Sequence, residues 1–161
     1  MTIQIGQALP AAQFNRVGDD IQCTDTQAVF AGKKVVLFAV PGAFTPTCSS
    51  KHLPGYIKAM PAFRERGIEV VCLAVNDAFV LKAWAASQQA PDDLIMLADG
   101  NAEFTRALGL EMDGTGFGMG VRARRFALYA DNGIVKALNV EAPGEFRVSA
   151  AEAMLATLDA L

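Results

Sequence analysis

Apolar and polar positions fall into two kinds of block along this chain. Residues 35–40, VVLFAV, are apolar throughout, as a strand buried on both faces should be. Residues 68–75, IEVVCLAV, repeat that character, and 94–98, LIMLA, form a third such run. Residues 124–140, RRFALYADNGIVKALNV, read as two strands around Asn132-Gly133, a pair that suits a tight hairpin turn. Between these runs the apolar spacing is helical. Residues 49–67 end at Gly67, with Pro54 expected to kink or break the helix. Residues 76–89 open on Asn76 and Asp77, good capping residues. Residues 101–110 predict a short helix ending near Gly109, and a final helix opens at Ser149, with Glu152 three residues on as a capping box. The polar stretch 18–27, GDDIQCTDTQ, suits an early hairpin.

The predicted order is β-α-β-α-β-α-β-β-α. It describes an α/β protein whose central mixed sheet, part parallel and part antiparallel, is flanked by helices on both faces. A thioredoxin-like fold satisfies it. No repeat, linker or low-complexity tract divides the chain, so residues 1–161 are expected to form one domain.

Composition narrows the function. Hydrophobic residues make up 52% and charged residues 19%, which excludes a disordered chain. The net charge of -3 gives no reason to expect nucleic-acid or membrane partners. The one basic cluster, RARR at 122–125, is short enough to be a solvated turn. The opening segment has no signal-peptide pattern, and no apolar run approaches the ~18 residues of a membrane span. Three widely spaced cysteines make no disulfide framework, and C-x-x-C is absent. The expectation is a reducing, cytoplasmic setting without a metal or other cofactor.

One cysteine stands apart. Cys48 follows the C-terminal end of the 35–40 strand, where open α/β sheets place their sites. Pro46 suits a first helical position, so Cys48 falls in or near the first turn of the next helix. Unpaired N–H groups and the helix dipole there favour a thiolate. Structural cysteines sit inside apolar runs, whereas Cys48 is flanked by Thr45, Thr47, Ser49 and Ser50. Those hydroxyls can hydrogen-bond a thiolate or an oxygen-bearing ligand. Cys72, inside an apolar run, reads as structural. Cys23 reads as a partly exposed bystander. The single histidine, His52, shares a helix face with Cys48, but no cluster offers metal ligands, and no orienting group suggests a cysteine hydrolase. His52 reads as a structural or supporting group.

The segment VPGAFTPTCSSKHLPGY at 40–56 resembles the active-site segment of the peroxiredoxins, most closely their atypical type II class. The pattern P-x-x-x-T-x-x-C falls on Pro41, Thr45 and Cys48. Residues 75–84, 94–110 and 124–141 resemble that class as well, in its order, so the likeness covers nearly the whole chain. The resemblance implies a thiol peroxidase. Cys48 would attack hydrogen peroxide or an alkyl hydroperoxide and become a sulfenic acid. Thr45 and Arg125 would hold the oxygens, Arg125 would stabilise the thiolate, and Pro41 would shield it. Some type II members carry a resolving cysteine before the last helix, where this chain has PGEFRVSAAEA. The reading is therefore a one-cysteine mechanism, with glutathione and glutaredoxin, or thioredoxin, as reductant. A peroxide-sensing binding protein with little turnover is the rival. Homodimers are implied too, with Phe44, Phe79 and Phe117 as candidate interface residues.

Overall fold

The run Val35–Val40 is wholly shielded from solvent, because it lies in the middle of a seven-stranded sheet with helices on both sides. A computed structural model describes all residues, 1–161. The strands are β1 (Gln13–Val17), β2 (Ile21–Asp25), β3 (Lys34–Val40), β4 (Glu69–Ala74), β5 (Leu94–Ala98), β8 (Phe126–Asp131) and β9 (Ile134–Val140), in the spatial order β2-β1-β5-β4-β3-β8-β9. Strands β3, β4 and β5 are parallel, whereas β8 runs antiparallel to β3 and β9 antiparallel to β8. The thioredoxin-like α/β reading holds.

Side chains alternate across each strand and divide the interior in two. Val36, Phe38, Val40, Val70, Cys72 and Ala74 face one core. That core is covered by α2 (Leu53–Glu65), α3 (Ala78–Ser87) and α5 (Ala151–Asp159). Val35, Leu37, Ala39, Val71 and Leu73 face the other, beneath α1 (Thr26–Phe30) and α4 (Glu103–Leu108). The hairpin between β8 and β9 turns at Asn132 and Gly133, with φ of 51° and 76°. Two successive left-handed residues match the right-handed twist of the flanking strands.

Five features depart from the sequence reading. The early hairpin does form, as β1 and β2, but β1 also pairs antiparallel with β5 and so extends the main sheet. Helix α1, one turn long and capped by Asp25, was not expected. Nor was the small sheet of β6 (Glu111–Asp113) and β7 (Val121–Ala123); three-residue strands are too short to show a period. Pro54 neither kinks nor breaks its helix, because it sits in the first turn of α2, where its missing N–H costs little. The irregularity lies just upstream, as a π-helical turn over Cys48–His52. The capping box at Ser149 does not form: Ala150 is the cap residue, and the Ser149 hydroxyl donates instead to Glu141 Oε2 at 2.6 Å.

Candidate active site

Helical backbone begins at Pro46, so Cys48 does lie in a helix first turn. The loop between β3 and that turn is tied down from two directions. Ala43 N–H donates to Asn76 Oδ1 at 2.9 Å. Arg122 Nη1 donates to the Pro41 carbonyl at 3.2 Å, while its Nε donates to Met119 O at 2.9 Å. Within the loop, the Thr45 hydroxyl donates to Gly42 O at 2.6 Å. A Cβ at Gly42 would lie 2.5 Å from Arg122 Nη1, so a side chain there would push the guanidinium off the Pro41 carbonyl.

Arg122 is therefore no solvated turn residue, contrary to the sequence reading. Asn76 is no helix cap either; Asp77 caps α3, accepting from Val80 N–H at 2.9 Å. Both residues brace the Cys48 loop from strands and loops remote in sequence, which no local pattern announces.

The thiol is fully buried. Its one hydrogen bond comes from Arg125, whose Nη2 donates to Cys48 Sγ at 3.2 Å. Arg125 stands immediately before β8, and β8 pairs with β3. That pairing brings Arg125 beside the end of the strand that leads to Cys48. The neighbouring Arg124 turns elsewhere, to the Glu141 carbonyl at 3.4 Å. The hydroxyls expected around sulfur are otherwise engaged: Thr45 on Gly42, and Ser49 accepting from Trp84 Nε1 at 2.9 Å.

His52 completes the inner cluster. Arg125 Nη1 meets His52 Nδ1 at 2.8 Å, and His52 Nε2 meets the Ser149 carbonyl at 3.1 Å. A guanidinium can only donate and a carbonyl can only accept, so the proton sits on Nε2. Burial, and then the Arg125 charge, lower the His52 pKa from 6.5 to about 3. The ring is neutral, and its free lone pair faces Arg125 rather than sulfur. It is not placed to take the thiol proton, which removes the cysteine-hydrolase arrangement. Phe38, Tyr56 and Phe146 surround it, with ring centroids 5.0, 5.6 and 5.0 Å away.

The other cysteines are differently placed. Cys72 lies in mid-β4, paired with Phe38 on one side and Met96 on the other. Burial, and then the nearby Cys48, push its thiol pKa well up. Cys23 is exposed on β2, at the sheet edge four strands from β3. At about 4.8 Å per strand that is roughly 19 Å, far beyond disulfide reach.

A cavity of about 270 Å³ opens beside the thiol, lined by Pro41, Thr47, Arg124, Arg125, Glu141 and Pro143 among others. Cys48 does not line it, but Thr47 and Arg125, which flank the sulfur, do. Of the four residues picked from sequence, Arg125 contacts Cys48, Thr45 sits one turn before it, and Pro41 forms part of the cavity wall. Around them lie Glu141, which no motif singles out, and Ser149, which the sequence read only as a helix cap; both meet this cluster through partners distant in sequence.

A buried thiol held by an arginine at the start of a helix, on a thioredoxin-like sheet, defines a thiol-based redox protein. Residues 4–155 match the Redoxin family. The chain is 49% identical to peroxiredoxin-2E-2, chloroplastic, of Oryza sativa subsp. japonica, over 98% of this chain and 73% of that one. It is 46% identical to peroxiredoxin-2D of Arabidopsis thaliana, over 97% and 98%. The structure of reduced Prx3 from Vibrio vulnificus in complex with hydrogen peroxide superposes with a TM-score of 0.92. Identity to it is 52%, covering 98% of this chain and 99% of that one. The chain belongs to the redoxin family and is a peroxiredoxin, a thiol peroxidase.

Proposed function

We propose that Cys48 is the peroxidatic residue and that hydrogen peroxide and alkyl hydroperoxides are its substrates. The observation that carries this reading is the 3.2 Å contact from Arg125 Nη2 to Cys48 Sγ. A fixed, permanently charged donor favours sulfur as the anion, which is the nucleophile. Cys48 S⁻ attacks the terminal oxygen of ROOH, and an S–O bond forms as the O–O bond breaks. The departing alkoxide takes a proton and leaves as ROH, and Cys48 is left as the sulfenic acid. The protein sulfur is oxidised by two electrons and the peroxide reduced by two.

Thr45 already donates its proton to Gly42 O. Its remaining lone pairs can only accept, so it orients the peroxide O–H. Other N–H groups of Arg125 donate to the two oxygens, most strongly when charge spreads along S–O–O. Pro41 screens the sulfur from bulk water.

We further propose a one-cysteine cycle. Cys23 is too far away, and Cys72 is a raised-pKa thiol held between two strands. An external thiol condenses with the sulfenic acid, releasing water. A second thiol then reduces the mixed disulfide. Glutathione with glutaredoxin, or thioredoxin, would supply these electrons in a reducing compartment such as the cytoplasm. Phe44, Phe79 and Phe117 are 57%, 77% and 84% exposed. These exposed apolar rings support the proposal that the single domain works as a homodimer.

The test is peroxide consumption with each reductant system for wild type, Cys48→Ser and Cys72→Ser. The reading requires Cys48→Ser to be inactive and Cys72→Ser to turn over. Loss of turnover in Cys72→Ser would make Cys72 the resolving residue and end the one-cysteine proposal. A single reaction without turnover, whatever the reductant, would sink the proposed reductants.

A further inference from the structure

Glu141 follows β9, takes no part in the chemistry above, and is only 3% exposed. Burying a carboxylate is costly unless it is well hydrogen-bonded. Its Oε2 accepts three bonds: Arg147 N–H at 2.7 Å, Ser149 N–H at 2.8 Å and the Ser149 hydroxyl at 2.6 Å. Its Oε1 is buried without a partner. Three donors converging on one anionic oxygen close residues 141–149 into a strap, with buried ends and an exposed middle at 142–145. Charge-assisted bonds of this length hold geometry more stiffly than neutral ones.

The strap reaches the reactive centre at two points. Its Ser149 carbonyl accepts from both His52 Nε2 and the Tyr56 hydroxyl, at 3.1 and 2.8 Å. Its Phe146 ring lies 5.8 Å from the Arg125 guanidinium carbon. His52 Nδ1 in turn receives Arg125 Nη1, which leaves Nη2 for sulfur. Arg125 is also held at its backbone, where its carbonyl accepts from Glu141 N–H at 3.0 Å. Without the His52 lone pair, one side of the guanidinium is unpaired and free to swing away from Cys48.

We propose that Glu141 is a positioning residue of this peroxidase: its carboxylate closes the 141–149 strap, and the strap's Ser149 carbonyl fixes His52 in the tautomer that aims Arg125 at Cys48. The inference rests on the role given to Arg125 above. It assigns a purpose to a buried charge that a simple turn would not need.

The experiment compares E141A with E141Q, and H52L with H52Q. Each is measured for kcat/KM toward hydrogen peroxide and for ultraviolet thiolate absorbance at neutral pH. Glutamine at 141 keeps an oxygen for the three donors and puts its amide N–H₂ where Oε1 has no partner. Glutamine at 52 offers one acceptor and one donor, whereas leucine offers neither. The expected result is a loss of about tenfold in E141A and H52L, with reduced thiolate absorbance, and recovery of most of it in E141Q and H52Q. A purely structural role would lower Tm without this pattern of rescue. Wild-type kcat/KM and thiolate absorbance in E141A would overturn the proposal, whatever its Tm. Where E141A does not fold, wild-type behaviour of H52L overturns it instead. Arg125→Met separates the two levels. If it is as active as wild type, the underlying reading of Arg125 fails; if it is impaired while E141A is not, only the strap is wrong.

Discussion

Cys48 and Cys72 share one hydrophobic core and are both completely shielded from solvent, yet their surroundings differ. Cys72 sits between Phe38 and Met96 in the middle of the sheet, and burial raises its pKa. Cys48 lies past the end of β3, in a helix first turn, with a guanidinium at 3.2 Å. Burial alone would make both thiols inert. What distinguishes them is a single charged donor, held at the sheet's end by a neutral histidine. Low-dielectric surroundings then strengthen the N–H···S contact instead of merely penalising the charge.

The comparison breaks outright if the two cysteines prove interchangeable. Cys48→Ser should lose at least ~10³-fold in peroxide turnover, as loss of a nucleophile does. Cys72→Ala should keep wild-type turnover and give up only about 1–2 kcal/mol of stability through the small cavity it leaves. Coupled peroxide assays with urea titrations on both variants check this.

Replacing the guanidinium sharpens the contrast. Arg125→Met should cost about 10²-fold in kcat/KM, the scale of losing one preorganised donor at a reacting centre. Arg125→Lys should recover little of it, because an ammonium cannot bridge His52 Nδ1 and Cys48 Sγ at once. Stopped-flow peroxide reduction by the reduced variants measures both.

His52 gives a pH signature that Cys72 lacks. Folded His52, with its pKa lowered to about 3, stays neutral, whereas the unfolded chain takes up a proton below 6.5. Protons therefore favour the unfolded state. This contribution to stability is complete above pH 6.5 and is lost as the pH falls toward 3. Between pH 6.5 and 5 the loss should reach about 1.6 kcal/mol. His52→Gln should not show it, and urea unfolding of both proteins at the two pH values reads the difference.

The smallest effect expected is at the loop. Arg122→Met frees the Pro41 carbonyl and should reduce kcat/KM about threefold, leaving reduction of the oxidised enzyme by thiol unchanged. An equal fall in both half-reactions would show that Arg122 supports the fold at large rather than the peroxide end of the site.

Much of this was legible in the residues themselves. Three apolar runs suited central strands, and Asn132-Gly133 suited a tight turn, because local sterics and burial on both faces leave few alternatives. Cys48 stood out because hydroxyl-bearing residues and prolines, not apolar ones, surround it. The short strands β6 and β7 and the one-turn helix α1 were not legible, since elements of three to five residues carry no periodicity. The Ser149 box looked like a helix cap, but Glu141, eight residues earlier, competed for the same hydroxyl with a charge and won.

The sequence by itself determined the central strands, their hairpin and the cysteine proposed as reactive, each written in contiguous residues whose local physics is strong. Only the tertiary structure decided what surrounds that cysteine. Pairing of β8 with β3 carries Arg125 across 77 positions to Cys48. The turn after β9 brings the Ser149 carbonyl across 97 positions to His52. Directional bonds over such separations depend on where strands end and loops close, and no local pattern of residues encodes that.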